Sequence, residues 1–393
     1  MTHTLVSFIG RSTRRNAAGG YEPTRYKFPN GNVENTAHFG WALMQRGKPD
    51  RMVILGTSGS MWDYLVEGLG LGNDAEDLRL TLMERVQTSS VSQDLLDQIA
   101  PIVSQRAGSG VRLTIVPYGA DPASQVEVLN ILAQSLLGAT SVSLDVTHAL
   151  RHLPMIALMG IFQLRAIRPE TVVHDIWYGS FDENSRESTV YKLDGLQEIA
   201  EWTHALAVFD ASGDFSRTAP LLALDGLPRH KETALRDAAF FERTSRDRSA
   251  KGKIHEVFPL TGLTGISKLF APALEARLAW VHEERMYQRQ RALARRYLDA
   301  GDFLRASIFM LEASVTRNIQ QADGTNVGSY DEREQAREAI RTSRNPDFKL
   351  LSILRNAMCH GVEPSAKEGQ SAMRNEATLR RALNDLLTRL LPD

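Results

Sequence analysis

The sequence predicts an α/β domain with a mostly parallel, doubly wound sheet, followed by an all-α domain. Three observations carry that expectation. The chain has 393 residues, more than the roughly 250–300 at which a single hydrophobic core stops growing. Its first half alternates short apolar runs with longer amphipathic stretches, the pattern of strands joined by crossover helices. From Leu196 onward the strand pattern disappears and apolar positions recur every three or four residues, which is helical periodicity.

In chain order, apolar runs rich in Val, Ile and Leu predict strands at residues 5–9, 52–55, 111–116, 142–146 and 172–177, with a more polar strand at 189–193. The intervening amphipathic segments predict helices at 33–45, 75–86, 93–105, 123–137 and 150–165. Alternation of Tyr21, Tyr26 and Phe28 over residues 21–28 suggests an edge hairpin. Residues 1–195 are assigned to this Rossmann-like domain and residues 196–393 to the helical one. In the helical half, helices are expected at 196–209, 218–224, 231–244, 274–299, 304–320, 331–342 and 377–391. A polar, basic stretch with Gly252, residues 244–255, reads as a long loop, and residues 322–330 as a second.

One internal echo stands out. Phe209-Asp-Ala-Ser-Gly-Asp-Phe-Ser-Arg217 matches Tyr297-Leu-Asp-Ala-Gly-Asp-Phe-Leu-Arg305. In both, glycine ends one helix and aspartate caps the next, so the expected meaning is a helix–turn–helix joint used twice.

Composition excludes several classes. With 46 Lys+Arg against 47 Asp+Glu, no long-range field draws in nucleic acid, and any RNA must be handled locally. The single cysteine, Cys359, excludes a disulfide scaffold and a Cys-based zinc site and fits a reducing cytosol. The first ten residues lack the features of a signal peptide, and no apolar run reaches the roughly 18–20 residues of a membrane span. A cytoplasmic protein with no membrane partner is expected.

In open parallel sheets ligands bind beyond the carboxyl ends of the strands. The segments following the predicted strands are Gly10-Arg11-Ser12, Gly56-Thr57-Ser58-Gly59-Ser60, Pro117-Tyr118-Gly119 and Asp145-Val-Thr147-His148-Ala-Leu-Arg151-His152. They are rich in small residues, hydroxyls and cations, which suits an anionic ligand. Thr147 is expected to cap a helix starting near Ala149, with His148 and Arg151 on its first turn. The blander reading is that Asp145 and Thr147 only satisfy backbone groups where a strand becomes a helix.

Three patterns carry no such weight. Gly68-Leu-Gly70-Leu-Gly72 follows a helix and lacks the third glycine of a dinucleotide fingerprint, and no phosphate-loop motif occurs. His148 and His152 stand four apart without accompanying ligands, so no metal is expected.

The helical half holds Leu354-Arg355-Asn356-Ala357-Met358-Cys359-His360-Gly361 at the end of a strongly apolar helix. Gly361 is the stop. Asn356 and His360 share a face, and Arg355 stands about 140° around the helix from His360, converging with it only through its long side chain. A cation beside an imidazole is what metal-free RNA cleavage needs, to move protons and to stabilise phosphate charge. Alternatively, His360 is a capping histidine and Arg355 a solvated charge.

The block Asp145-Val-Thr-His-Ala-Leu-Arg-His-Leu-Pro154, with Gly10 after the first strand and Leu55-Gly-Thr-Ser58 after the second, resembles the CARF sensor domains of type III CRISPR-associated proteins. Arg355-Asn-x-x-x-His360, with four residues between Arg and His, resembles the Arg-x4–6-His motif of HEPN ribonucleases, which often follow a CARF domain. The resemblance spans nearly the whole chain, in the order expected of that family. It implies a homodimer that binds cyclic oligoadenylate (cyclic tetra- or hexa-adenylate) and then cleaves single-stranded RNA in antiviral defence, without metal, leaving a 2′,3′-cyclic phosphate. By motif match, Arg355, Asn356 and His360 take the catalytic positions, and Gly10, Arg11, Thr57, Ser58, Thr147, His148 and Arg151 fall in the ligand turns. Two departures are Ala149, where the family usually has glycine, and the short spacing before His360. The competing readings are a non-catalytic sensor with a structural helical domain and a ring nuclease that degrades its own cyclic ligand.

Overall fold

Strand β1 (His3–Phe8) is buried on both faces, and it lies between β4 (Arg51–Gly56) and β6 (Ser141–Asp145), parallel to both. The eight strands run in the order β3-β2-β8-β7-β6-β1-β4-β5. The others are β2 (Thr24–Lys27), β3 (Val33–Thr36), β5 (Gly110–Ile115), β7 (Val172–Asp182) and β8 (Glu187–Lys192). Pairing is parallel except for β2–β3 and β7–β8. The computed structural model describes residues 2–11, 22–69, 75–321 and 327–392, and it separates into two units, Met1–Leu196 and Gln197–Asp393. Ser12, Tyr21, Gly70, Gly72 and the first part of the 322–330 segment lie outside the described residues.

Helices cover both faces of the sheet. On one side lie α1 (Phe39–Gly47), α2 (Trp62–Leu69), α3 (Glu76–Gln87) and α4 (Gln93–Ala107), whose Phe39, Trp62 and Leu96 pack with Leu5, Met52 and Ile54. On the other lie α5 (Pro122–Ser135) and α6 (His152–Ile167), whose Leu132, Ala157 and Ile161 pack with Val6, Phe8, Val53 and Leu144. Successive residues of β1 and β4 therefore feed opposite layers, which is why these strands read as unbroken apolar runs.

Two expectations for this unit are corrected. Residues 33–45 are not one helix: Val33–Thr36 is β3, paired antiparallel with β2 through an Asn30-Gly31 turn in which Gly31 has φ 83°, and the helix starts only at Phe39. An exposed edge strand needs no apolar run, so Val33-Glu-Asn-Thr36 gave no strand pattern. Thr147 does not cap α6 either, because that helix starts at His152, with Arg151 at its N-cap.

The second unit, with α7 (Asp194–Ser212) leading into it, is helical. It comprises α8 (Thr218–Leu224), α9 (Arg229–Arg243), α10 (Asp247–Val257), α11 (Ser267–Arg277), α12 (Met286–Asp299), α13 (Phe303–Gln321), α14 (Tyr330–Thr342), α15 (Pro346–His360), α16 (Lys367–Ala372) and α17 (Glu376–Leu390). Residues 244–255 are mostly helix rather than loop. Asp247, Ala250, Ile254 and Val257 form a buried stripe at spacings of three and four, a helical face hidden in a polar segment. Residues 274–299 are not continuous: a 3-10 turn at Ala279–His282 and extended Glu283 and Arg285 break the helix.

Phe309, Met310, Leu351, Leu354, Leu383 and Leu386 meet in one core. Fully buried Glu242 is paired with Arg296 and accepts a hydrogen bond from Tyr297 Oη at 3.0 Å. Burial, then the carboxylate, pushes the Tyr297 phenol well up. The echoed segments form the α7–α8 and α12–α13 joints. Asp302 Oδ1 accepts from Arg305 N at 3.0 Å at the start of α13, as expected, whereas Asp214 Oδ1 accepts from Ser216 N at 3.0 Å and does not cap α8, whose N-cap is Arg217. Among the described residues, no helix is long and apolar enough to cross a membrane.

Candidate functional site

After the β2–β3 hairpin at the far edge, the chain forms β4 on one side of β1 and later returns to form β6 on the other. The carboxyl ends of β1 and β6 therefore flank a topological switch point, where a doubly wound sheet opens a crevice. A cavity of about 380 Å³ occupies this place, and Gly10, Arg11, Thr147, His148 and Ala149 all line it. The post-β1 and post-β6 turns nearly touch there. A Cβ on Gly10 would fall 2.7 Å from Ala149 N, so only glycine allows this approach.

Ala149 has φ 89°, a left-handed conformation that costs a residue with a Cβ. A glycine would take this conformation without that cost. Among the described residues, the backbone N–H groups of Gly10, Arg11, His148 and Ala149 meet no acceptor. Two adjoining turns whose amides lack an acceptor and whose residues line one hollow make a concavity suited to an anion.

Below the turns lies a polar cluster of which the sequence pointed only to Asp145, as a partner for backbone groups of the turn. Asp145, fully buried, accepts from Ser7 Oγ at 2.6 Å and from Thr147 N at 2.9 Å. Burial pushes its carboxyl up, and the neighbouring His38 and Ser7 oppose that rise. His38 Nε2 donates to Phe8 O at 2.9 Å, which fixes its tautomer, and its buried Nδ1 has no partner. Its ring stacks on His148 with centroids 5.2 Å apart. Burial holds both imidazoles near 4, and for His38 the adjacent His148 adds to the effect.

His148 keeps partial exposure at the cavity, while its ring is sunk beside Tyr26, His38 and Phe39. Phe39 N donates to His148 Nε2 at 3.4 Å, and Tyr26 Oη lies 3.3 Å from the same nitrogen. An accepting Nε2 leaves the proton of the neutral ring on Nδ1, as a donor. In the sequence Tyr26 reads only as part of a hairpin, and His38 escapes notice because residues 33–45 read as one helix, which buries it in a periodicity instead of placing it at the N-cap of α1.

The remaining turn residues are engaged differently. Thr147 Oγ1 accepts from Gly179 N at 2.8 Å, tying the post-β6 turn to β7. Arg11 donates through Nε to Gly59 O at 2.7 Å and also bonds Ser89, so it ties the post-β1 and post-β4 turns together. Thr57 and Ser58 lie outside the cavity lining. Thr57 is buried, with its N–H donating to Ser60 Oγ at 2.9 Å and its carbonyl accepting from Trp62 Nε1 at 2.9 Å. Arg151 lines a neighbouring open hollow of about 670 Å³ with Pro154, Met155 and Tyr178, which shares Thr147, His148 and Ala149 with the first. His152 does not join His148; its Nε2 is 2.6 Å from Tyr118 O, holding the post-β5 turn. Among the described residues, no three His, Cys, Asp or Glu side chains gather to hold a metal ion.

In the second unit, α15 is anchored by Leu351, Leu354 and Ala357 and ends at Gly361, whose φ of 63° supplies the left-handed cap. Arg355 is half-buried, while Asn356 and His360 are exposed. None of the three makes a side-chain hydrogen bond or ion pair among the described residues. Cys359 is free and exposed beside them.

Residues 4–181 match the family described as CRISPR system endoribonuclease Csx1, CARF domain. A CRISPR-associated protein of Methanocaldococcus jannaschii is 23% identical over 215 residues, covering 49% of this chain and 34% of that protein. The chain thus spans about a third of the length of this curated relative. A solved structure, Enterococcus italicus Csm6 bound to cyclic hexa-2′-fluoro-hexa-dAMP, aligns over 100% of this chain and 95% of its own with 14% identity and a TM-score of 0.36.

Proposed function

We propose that this chain, whose residues 4–181 form a CARF domain of the Csx1 family, is a type III CRISPR sensor that binds cyclic oligoadenylate and responds by cleaving single-stranded RNA. The observation that carries the reading is the anion-suited hollow at the switch point, where unsatisfied amides of the post-β1 and post-β6 turns converge beside His148. A phosphate there would accept from Gly10, Ala149 and His148. Neutral His148 donates without a charge that pH changes near 7 would remove.

A ring of identical nucleotides calls for identical turns arranged around it, and two copies of one chain related by a two-fold axis supply them. Exposed Leu150, Met155 and Met159 at and after the ligand turn, with Tyr178 beside them, offer an apolar surface to that second copy. The effector residues of this reading are Arg355, Asn356 and His360. The ribose 2′-oxygen attacks the adjacent phosphorus as its proton leaves, the bond to the 5′-oxygen breaks, and that oxygen takes up a proton. The products are a 2′,3′-cyclic phosphate and a 5′-hydroxyl. His360 moves one of the protons, Arg355 stabilises the charge on phosphorus, and Asn356 shares the face of His360. The open, unpartnered end of α15 supports a site completed by the same residues of a second copy.

The test is a fluorogenic single-stranded RNA assay in EDTA, with cyclic tetra-adenylate and cyclic hexa-adenylate added separately. One ring is expected to stimulate cleavage in the wild type and to leave His360→Ala inactive. Stimulated cleavage that persists in His360→Ala would remove the effector assignment.

A further inference from the structure

The same sheet carries a second hollow that the ligand turns do not use. It has a volume of about 400 Å³ and lies on the α1 side of β1, β6 and β7, toward their amino ends. His3 and Phe8, at the two ends of β1, are about 17 Å apart at a rise of about 3.3 Å per residue, so this hollow and the switch-point cavity sit toward opposite ends of the strands.

Its floor is polar, although this layer elsewhere packs Leu5, Met52 and Ile54 against helices. His3 Nδ1 is 2.8 Å from Ser141 Oγ and its Nε2 is 3.2 Å from Ser143 Oγ, so the ring is fixed edge to edge between two hydroxyls. His174 stands 5.2 Å away, near perpendicular. Burial, then His174, pushes the His3 imidazole down. Asp175 is neutralised by Lys192 at 2.8 Å, and Lys192 in turn lies 6.0 Å over the ring of Trp177.

The cation left to the hollow is Arg46. Its guanidinium carbon lies over the Phe28 ring, 4.2 Å from the centroid, and its carboxylate neighbour Glu34 is 3.9 Å away, at the limit of an ion pair. A guanidinium so weakly paired keeps donors for a second partner, and its fork matches two oxygens of a phosphate or carboxylate. Trp177 offers a surface for a planar ring, and the hydroxyl of Ser143 and the carboxylate of Asp175 are there to pair with polar ring substituents. The volume falls in the range of about 300–1,000 Å³ used by small-molecule sites.

We propose that the hollow between α1 and the amino half of β7 is a second ligand site, which takes a small planar aromatic molecule carrying one anionic group, such as a nucleoside monophosphate. Arg46 binds the anion, and Trp177 and His174 contact the ring. This site rests neither on the switch-point ligand nor on the chemistry assigned to α15.

The experiment is isothermal titration of the full chain with adenosine 5′-monophosphate, alongside adenosine and inorganic phosphate. Saturable binding of one monophosphate per chain is expected, at least tenfold weaker for adenosine and for phosphate. His148→Ala should bind it unchanged, whereas Arg46→Ala and Ser143→Leu, the latter filling the hollow from its floor, should each weaken it at least tenfold. Arg46 is exposed, so its variant reports binding rather than folding, as thermal unfolding will verify. Three results overturn the proposal: no saturable binding, phosphate binding as tightly as the nucleotide, or loss of binding in His148→Ala with Arg46→Ala unaffected.

Discussion

The hollow at the switch point and the end of α15 are built in opposite ways. In the first, the chemistry-bearing groups are sunk and bonded: Asp145 holds Ser7 and Thr147, His38 holds Phe8 O, and His148 rests on His38 and accepts from Phe39 N. In the second, Arg355, Asn356 and His360 stand at a helix end with no side-chain partner, and only the far side of the helix is packed. A preorganised cluster binds without reordering, which suits a sensor. Unpartnered groups on a rigid helix acquire their geometry when another surface supplies it, which suits an effector kept silent until its partner is in place.

The largest effect that separates the two regions is expected at α15. His360→Ala or Arg355→Ala should lower ring-stimulated cleavage by about 10²–10⁴-fold, with unfolding free energy changed by no more than about 0.5 kcal/mol for exposed His360. An assay paired with thermal unfolding checks both halves of that statement. Next in size, His148→Ala should weaken ring binding by about tenfold, the loss of about one charge-assisted hydrogen bond, while basal cleavage by α15 is retained.

The sunken imidazole also predicts a pH dependence confined to the first unit. His148 is held near 4 against an ordinary value of 6.5, so between those values the unfolded chain binds a proton that the folded chain does not. Stability is therefore complete above about pH 6.5 and falls as pH drops toward 4, by at most about 1.4 kcal/mol per pH unit for this one group. His38 adds to that slope, whereas Asp145, whose pKa is raised, opposes it. The difference between wild type and His148→Gln in urea unfolding at pH 4.5 to 7 isolates the contribution of His148. No such difference would mean that the ring is not sunk as described.

Smaller still is the backbone term. Ala149→Gly should stabilise the first unit by about 1 kcal/mol, because glycine reaches φ 89° without the Cβ penalty; thermal unfolding measures this. Cys359→Ala should change neither stability nor cleavage, since the thiol is exposed and has no partner.

How far the sequence was legible follows from burial. β1, β4 and β6 are covered on both faces and announce themselves as apolar runs, but their order, which places the crevice, comes only from the structure. β3, an edge strand with Glu34 and Asn35 in it, carries no such signal. α10 hid its stripe of Asp247, Ala250, Ile254 and Val257 among charges and Gly252. In the candidate site, Gly10, Thr147 and His148 stand in turns that follow apolar strands, whereas Tyr26 arrives from β2, through its pairing with β8, and His38 from the N-cap of α1, placements that only the three-dimensional structure shows. The motif at α15 was readable as a local pattern because helix periodicity fixes its faces and Gly361 fixes its end.

The claim at the centre is that one cyclic oligoadenylate is held by the switch-point turns of two chains. Isothermal titration of His360→Ala protein, which cannot cleave RNA in this account, with cyclic tetra-adenylate and cyclic hexa-adenylate tests it directly. One ring bound per two chains is predicted, abolished or strongly weakened when His148→Ala is added. Absence of binding by either ring, a stoichiometry of one ring per chain, or binding indifferent to His148→Ala would contradict it.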